Sequence, residues 1–265
     1  KVRLVREYAE AAWGVGQDIV NVDLSYSDSL AWKCFVSSEG TVIQQEKPLV
    51  YSLIQVTARK GDVVQRFFSN LSDTTYAQVM GKHTEVVETA KTAVELTEAG
   101  QAKSGSYEVI LDPILSGVFA HEAFGHLSEA DNVYENPQLA RVMQLGRRFG
   151  SELLTIYDDP SLKGFRGSYK YDEEGVAAQK AMLLDKGVLV GRLHSRETAV
   201  KTGEEPNGHA RAAGARVMPI VRMGITCIAP GESKFEDMLA GVKNGLVCIN
   251  WQAGNTDHER FTFTA

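Results

Sequence analysis

Cysteine is scarce in this sequence: Cys34, Cys227 and Cys248 stand singly, with neither the C-x-x-C spacing of a zinc knuckle nor the even count of a disulfide framework. Each lies in an apolar, strand-like run, so all three read as buried structural thiols, and a reducing cytoplasm is the expected location. Long apolar runs are missing as well. No window approaches the roughly 18 consecutive apolar residues of a membrane span, and no charged-then-apolar leader is read. Positive charge is in deficit, with 28 Lys and Arg against 34 Asp and Glu and a formal net charge of -6. Neither nucleic acid nor a membrane is therefore an expected partner, because phosphate recognition needs clustered cations in excess.

What is present is an ordinary globular composition, 43% hydrophobic and 23% charged, enough to bury a sizeable core in one or two domains. The chain opens at Lys1 and closes inside RFTFTA, whose alternation reads as a strand; both ends suggest a piece of a longer protein. Between residues 20 and 68 the runs VNVDLSY, AWKCFVSS, GTVIQQ, VYSLIQVTARKG and VVQRFF predict successive antiparallel hairpins. Residues 83–99 space Val86, Val87, Ala90, Val94 and Leu96 as a helix that Gly100 ends. Residues 106–111 read as a strand, Asp112-Pro113 as a helix opening and Asn136-Pro137 as another. From residue 153 strands return in LLTIYDD, AMLLDKGVLVGRL (with a turn at Asp185-Lys-Gly187), VMPIVRM, ITCIA and LVCIN, and a short helix is expected over 235–242. This pattern predicts an α+β fold, predominantly antiparallel sheet with a few helices. It divides into a hairpin-rich part with one helix, 1–105, and a part with the motif helix and a C-terminal antiparallel sheet, 106–265, truncated at its end.

The chemistry concentrates in FAHEAFGHLSEAD, residues 119–131, where His121 and His126 are five apart and Glu122 follows the first. On a regular helix, residues four apart are about 40° apart around the axis and residues five apart about 140°. A π-turn, closing i to i+5, would return both imidazoles to one face, and Gly125 is suited to loosen that turn. Two neutral imidazoles then bind Zn²⁺, a third protein ligand completes the set, and an open position holds water. Glu122 would be the general base that takes a proton from that water. Glu129 and Asp131 are candidates to hold imidazole N–H groups, although helix capping or solvent exposure accounts for them equally well. His83, His194 and His258 read as surface or cap residues.

The motif, together with YDDPSLKGFRGSYKYDEEG at 157–175 and GHARAAGARVMPIVRMGITCIAPGE at 208–232, resembles the TldD/PmbA family, often described as modulators of DNA gyrase, and its TldD side in particular. That resemblance covers most of the chain. It implies a zinc metallopeptidase acting on peptides or unfolded segments, dimeric with a PmbA/TldE-type subunit or with itself. By position, His121 and His126 would be the metal ligands and Glu122 the catalytic base. The third ligand it implies is a cysteine in a Gly-rich segment beyond Ala265. Within the two further signatures, Asp158, Asp159 and 172–174 either border the cleft or are exposed turn carboxylates, and His209 and Arg211 are candidates to touch substrate or a partner subunit. The competing expectation is a non-catalytic interaction subunit of the same fold. A direct DNA binder would need a basic stripe that this acidic chain lacks.

Overall fold

A computed structural model describes residues 1–251, 255–257 and 262–264, and it divides into two compact units. The first comprises residues 1–33, 44–104 and 164–166; the second comprises 34–43, 105–163 and 167–265. No described helix is long and apolar enough to cross a membrane.

In the first unit, helix α1 (Val2–Trp13) buries Leu4, Tyr8 and Ala12, an i, i+4, i+8 stripe on a segment that also carries Arg3, Arg6, Glu7 and Glu10. This helix was not read from the sequence. Three long antiparallel strands follow, β1 (Ile19–Val36), β2 (Val42–Lys60) and β3 (Val63–Asp73), in the order β1-β2-β3. The sequence suggested five shorter runs, broken at Ser27-Asp-Ser29 and at Pro48. Both breaks lie inside strands. Pairing of β2 with β3 begins only at Val50, so Pro48 sits outside that ladder and its missing N–H costs nothing there. Helix α2 (His83–Leu96) lays Val86, Ala90 and Ala93 on Ile54, Val56 and Ala58 of β2, closing a core with α1. The buried Tyr8 hydroxyl donates to the Val79 carbonyl at 2.6 Å and accepts the Lys82 N–H at 2.9 Å, which compensates its burial.

The second unit begins with β4 (Glu108–Leu111), which runs straight into helix α3 (Pro113–Ala120). After the motif come α4 (Ala130–Glu135) and α5 (Pro137–Val142), then a four-stranded antiparallel sheet of β5 (Ile156–Asp158), β6 (Ala181–Asp185), β7 (Val188–Leu189) and β10 (Thr226–Ile228), ordered β10-β5-β6-β7. The expected hairpin turn is present: Lys186 and Gly187 both have positive φ, 46° and 79°, as a two-residue mirror-image turn requires. Helix α6 (Arg196–Thr202) and the pair β8 (Ala210–Arg211) and β9 (Ile220–Val221) precede β10; α7 (Phe235–Gly241) precedes β11 (Gly245–Cys248). Strands β12 (Asn255–Asp257) and β13 (Thr262–Thr264) pair with each other. The fold is thus α+β and mostly antiparallel; among the described residues β11 pairs with β4 in parallel, and Glu129 makes an isolated parallel bridge with Leu193. Its core gathers Ala120, Phe124 and Leu127 of the motif against Leu183, Leu184, Leu189, Leu193 and Ile156.

Two expectations need correction. Cys34 is exposed, and Cys227 and Cys248 are half-buried, so they are not three buried structural thiols. Cys34 lies in the outer half of β1, where nearly every residue faces solvent, so an apolar, strand-like run did not mean burial. His194 is buried, 2% exposed, rather than a surface residue. It immediately precedes Ser195, whose side chain caps α6, and that cap turns the preceding residue inward. His83 is exposed, as expected for the first residue of α2; His258 lies outside the described residues.

Candidate metal centre

Helix α3 is fixed at its start by a single carboxylate. Asp112 Oδ1 accepts the Leu115 N–H at 2.7 Å as the N-cap, while Oδ2 accepts the Asn250 N–H at 3.1 Å beyond the end of β11. Two turns later the helix changes register. Residues His121–Gly125 form a π-turn, closed where the His126 N–H donates to the His121 carbonyl five residues back. The two imidazoles therefore meet, ring centroids 4.7 Å apart and planes at 81°, instead of pointing to different sides. One nitrogen from each ring and a carboxylate oxygen of Glu122 lie within 4.8 Å of one another.

Gly125 serves this turn for a reason other than looseness. Its φ and ψ, -59° and -62°, are ordinary helical values. A Cβ there would lie 2.0 Å from Met223 Sδ, so any larger residue would have to displace that buried side chain, and close packing rather than backbone freedom favours glycine.

The surroundings define the protonation of each ring. Burial, then the neighbouring His126, lowers the pKa of His121, which keeps it neutral with a lone pair to donate. His126 is raised, chiefly because Nδ1 hydrogen-bonds Glu129 Oε2 at 3.3 Å. That carboxylate accepts, so Nδ1 carries the proton and Nε2 is left to face a ligand. Glu129 is fully buried; the same oxygen also accepts from Asn132 at 3.0 Å and Arg222 at 2.9 Å, while Oε1 accepts nothing among the described residues. Of the two candidate supports, then, Glu129 holds an imidazole. Asp131 instead accepts the Val221 N–H at 3.0 Å and ties α4 to β9. Two imidazoles, an adjacent carboxylate and a buried carboxylate behind one ring form a donor set that suits a zinc ion. No cysteine joins the group among the described residues.

In the other two signatures Asp158, Asp159 and Asp172 are buried rather than exposed in turns, while Glu173 and Glu174 of the same segment are half-buried in a turn. Asp158 Oδ1 accepts the Gly224 and Ile225 N–H groups at 2.8 and 3.1 Å and His209 Nε2 at 3.0 Å, knotting β5 to the approach of β10. His209 is fully buried and its other nitrogen meets Asn207 Oδ1 at 2.8 Å. It has no surface with which to touch a substrate. Arg211 donates to the Met223 carbonyl at 3.0 Å and stacks over Tyr169. Missed altogether was a cavity of about 500 Å³ beside Glu122, lined by Ile114, Gly117, Val118, His121, Glu122 and Trp251. The spacing 114, 117, 118, 121 was a legible signal for all but Trp251, since it is one face of a helix.

Residues 104–265 match the family description PmbA/TldA metallopeptidase C-terminal domain, and residues 1–100 match the PmbA/TldA metallopeptidase central domain. The chain is 41% identical over 266 residues to a metalloprotease of Synechocystis sp., covering 100% of this chain and 58% of that relative. It is 31% identical over 241 residues to a zinc metalloprotease TldD homolog of Saccharolobus solfataricus, covering 90% of this chain and 54% of the relative. A crystal structure from Thermotoga maritima described as a modulator of a DNA gyrase superposes with a TM-score of 0.82 at 23% identity, over 96% of this chain and 57% of that one. TldE from Thermococcus kodakarensis shares the fold at a TM-score of 0.68 and 18% identity, over 97% and 58%. The chain thus spans little more than half the length of these proteins.

Proposed function

Since this chain belongs to the PmbA/TldD metallopeptidase family, we propose that it carries the metal-binding and proton-transfer groups of a zinc-dependent peptidase that hydrolyses peptides or unfolded segments. The observation that carries the proposal is the π-turn, which draws the two imidazoles and Glu122 together, with His121 and Glu122 on the wall of a cavity. His121 and His126 are the ligands. The third is the cysteine that the family resemblance implies, from outside the described residues. When bound, zinc supplies a Lewis acid that polarises the scissile carbonyl and eases ionisation of water.

The chain's own residues do the rest. Burial keeps His121 unprotonated, and Glu129 orients His126 by holding its Nδ1–H. Glu122 follows a ligand directly in sequence and faces the cavity, so its carboxylate takes the proton of the attacking water and returns it to the leaving amine. The apolar wall lowers the local dielectric around that transfer. A dimer with a TldE-type subunit, or with a second copy, would close an extended peptide into the cleft; the shared fold of TldE supports such a pairing of like chains.

The test is Glu122→Gln in the full-length protein, with peptide turnover and bound zinc measured together. Lost turnover with zinc retained is expected. Undiminished turnover would remove Glu122 from the chemistry. Zinc loss would make Glu122 a ligand, and zinc retention without turnover in either protein would favour the non-catalytic interaction subunit. Sedimentation of the active protein addresses the dimer, which a fully active monomer would refute.

A further inference from the structure

We infer that the cavity beside Glu122 is a side-chain pocket selecting peptides with a large apolar residue, aliphatic or aromatic, next to the scissile bond; the inference rests on the peptidase reading above. Ile114, Gly117, Val118, His121 and Glu122 fall at i, i+3, i+4, i+7 and i+8, so one helical face carries the apolar wall straight into the reacting groups. A side chain in the pocket is thereby within a residue of the bond that Glu122 addresses. The volume, about 500 Å³, admits a large side chain together with its flanking backbone.

The lining decides which side chain. Among the described residues its ionisable members are His121 and Glu122, both committed to the chemistry, and the rest of the wall is Ile114, Gly117, Val118 and Trp251. Among these residues a Lys, Arg, Asp or Glu entering there would lose water without gaining a partner of its own, at a cost that an aliphatic or aromatic side chain avoids. Ile114 is 55% exposed, so apolar surface stands ready to be covered by an occupant. The pocket is also preformed. Asn250 turns with φ of 60°, its N–H held by Asp112 Oδ2 at 3.1 Å, and its own Oδ1 accepts the Trp251 N–H at 2.8 Å. The carboxylate that caps α3 thus also sets the indole against the helix face, so little ordering is left for the ligand to impose.

The experiment uses labelled peptides identical except for one central residue: Phe, Leu, Ala, Asp or Lys. Fluorescence anisotropy with the metal-free full-length protein measures binding, and turnover by the zinc-loaded protein is measured separately. Phe and Leu peptides should bind roughly 10- to 100-fold more tightly than Ala, with Asp and Lys weakest. Trp251→Ala removes one wall. Gly117→Leu fills the cavity from a position where an added Cβ meets nothing within 4 Å, and its melting temperature, measured alongside, checks that the variant is folded. Each should shrink the Phe-over-Ala ratio by about tenfold. Equal affinity across the series, no binding by any peptide, or an unchanged ratio in both variants overturns the pocket. Discrimination in binding with no turnover of any peptide supports the pocket and sinks the peptidase reading, whereas turnover with no discrimination does the reverse.

Discussion

Two pairs of histidines in the second unit are buried to different degrees, and the difference separates chemistry from construction. His209 is wholly enclosed, and both its nitrogens meet fixed acceptors, Asp158 and Asn207. His194 is nearly as buried, with Nδ1 at 3.2 Å from the Thr198 hydroxyl and Nε2 at 3.3 Å from Glu204 but outside hydrogen-bonding alignment. His121 and His126 are only half-buried and lie against each other beside a cavity, with Glu129 held behind one ring. The enclosed imidazoles are fixed by the fold. The partly open pair lies where a ligand can reach.

The largest effect that would sharpen this contrast is chemical. Glu122→Gln should lower kcat/KM for peptide hydrolysis by about 10²- to 10⁴-fold, the usual worth of a positioned proton acceptor, with bound zinc unchanged. Next come paired alanine variants. His209→Ala should destabilise the protein by about 3–5 kcal/mol, because it opens a buried cavity and takes the imidazole from the buried Asp158 carboxylate, which keeps only its Gly224, Ile225 and Thr226 donors. His121→Ala should abolish zinc retention with a change of only about 1 kcal/mol in chemical denaturation. Metal loss in His209→Ala at a temperature where it is folded, or a larger destabilisation from His121→Ala, would break the comparison.

A smaller effect tests the turn itself. Gly125→Ala should destabilise by about 1–3 kcal/mol and weaken zinc retention, since its Cβ would overlap Met223 Sδ. Met223→Ala in the same chain should recover much of the loss, and a thermodynamic cycle measures that coupling. Without recovery, the close-packing account of Gly125 fails.

The smallest effect concerns pH. Burial lowers the pKa of His194, so the unfolded chain binds a proton more readily than the folded one below the ordinary histidine value of about 6.5. The neutral ring's contribution is therefore present above about pH 6.5 and lost as pH falls through that window toward the folded pKa. His194→Gln should flatten the fall of the melting temperature between pH 7 and 5. A slope identical to that of the parent protein would exclude His194 as its source.

What could be read from sequence was what is local. The Asp112-Pro113 opening and the five-residue spacing sufficed for a capped helix with an i to i+5 closure, because both are decided within about ten consecutive residues. The alternation of β-rich runs sufficed for an antiparallel α+β fold, but strand lengths did not follow, since Ser27-Asp-Ser29 is held extended by its neighbours against its own turn preference. Burial of polar residues was not legible. Asp158, Asp172, His194 and His209 look like surface residues until partners 13 to 68 positions away close around them. Trp251 was hidden for the same reason, its neighbour Asn250 being held by a carboxylate 138 residues earlier.

The π-turn amounts to one residue too many for a regular helix, and that surplus is absorbed where it stands. Deleting Ala123 would leave two histidines four apart and make the closing bond, His126 N–H to the His121 carbonyl, an ordinary i to i+4 bond. The helix on either side would keep its relation, so Leu127 and Val133 could stay in the core and Glu129 on Arg222. The odd spacing is accordingly a local addition: a lineage could gain or lose it in one step without disturbing the chain that flanks it.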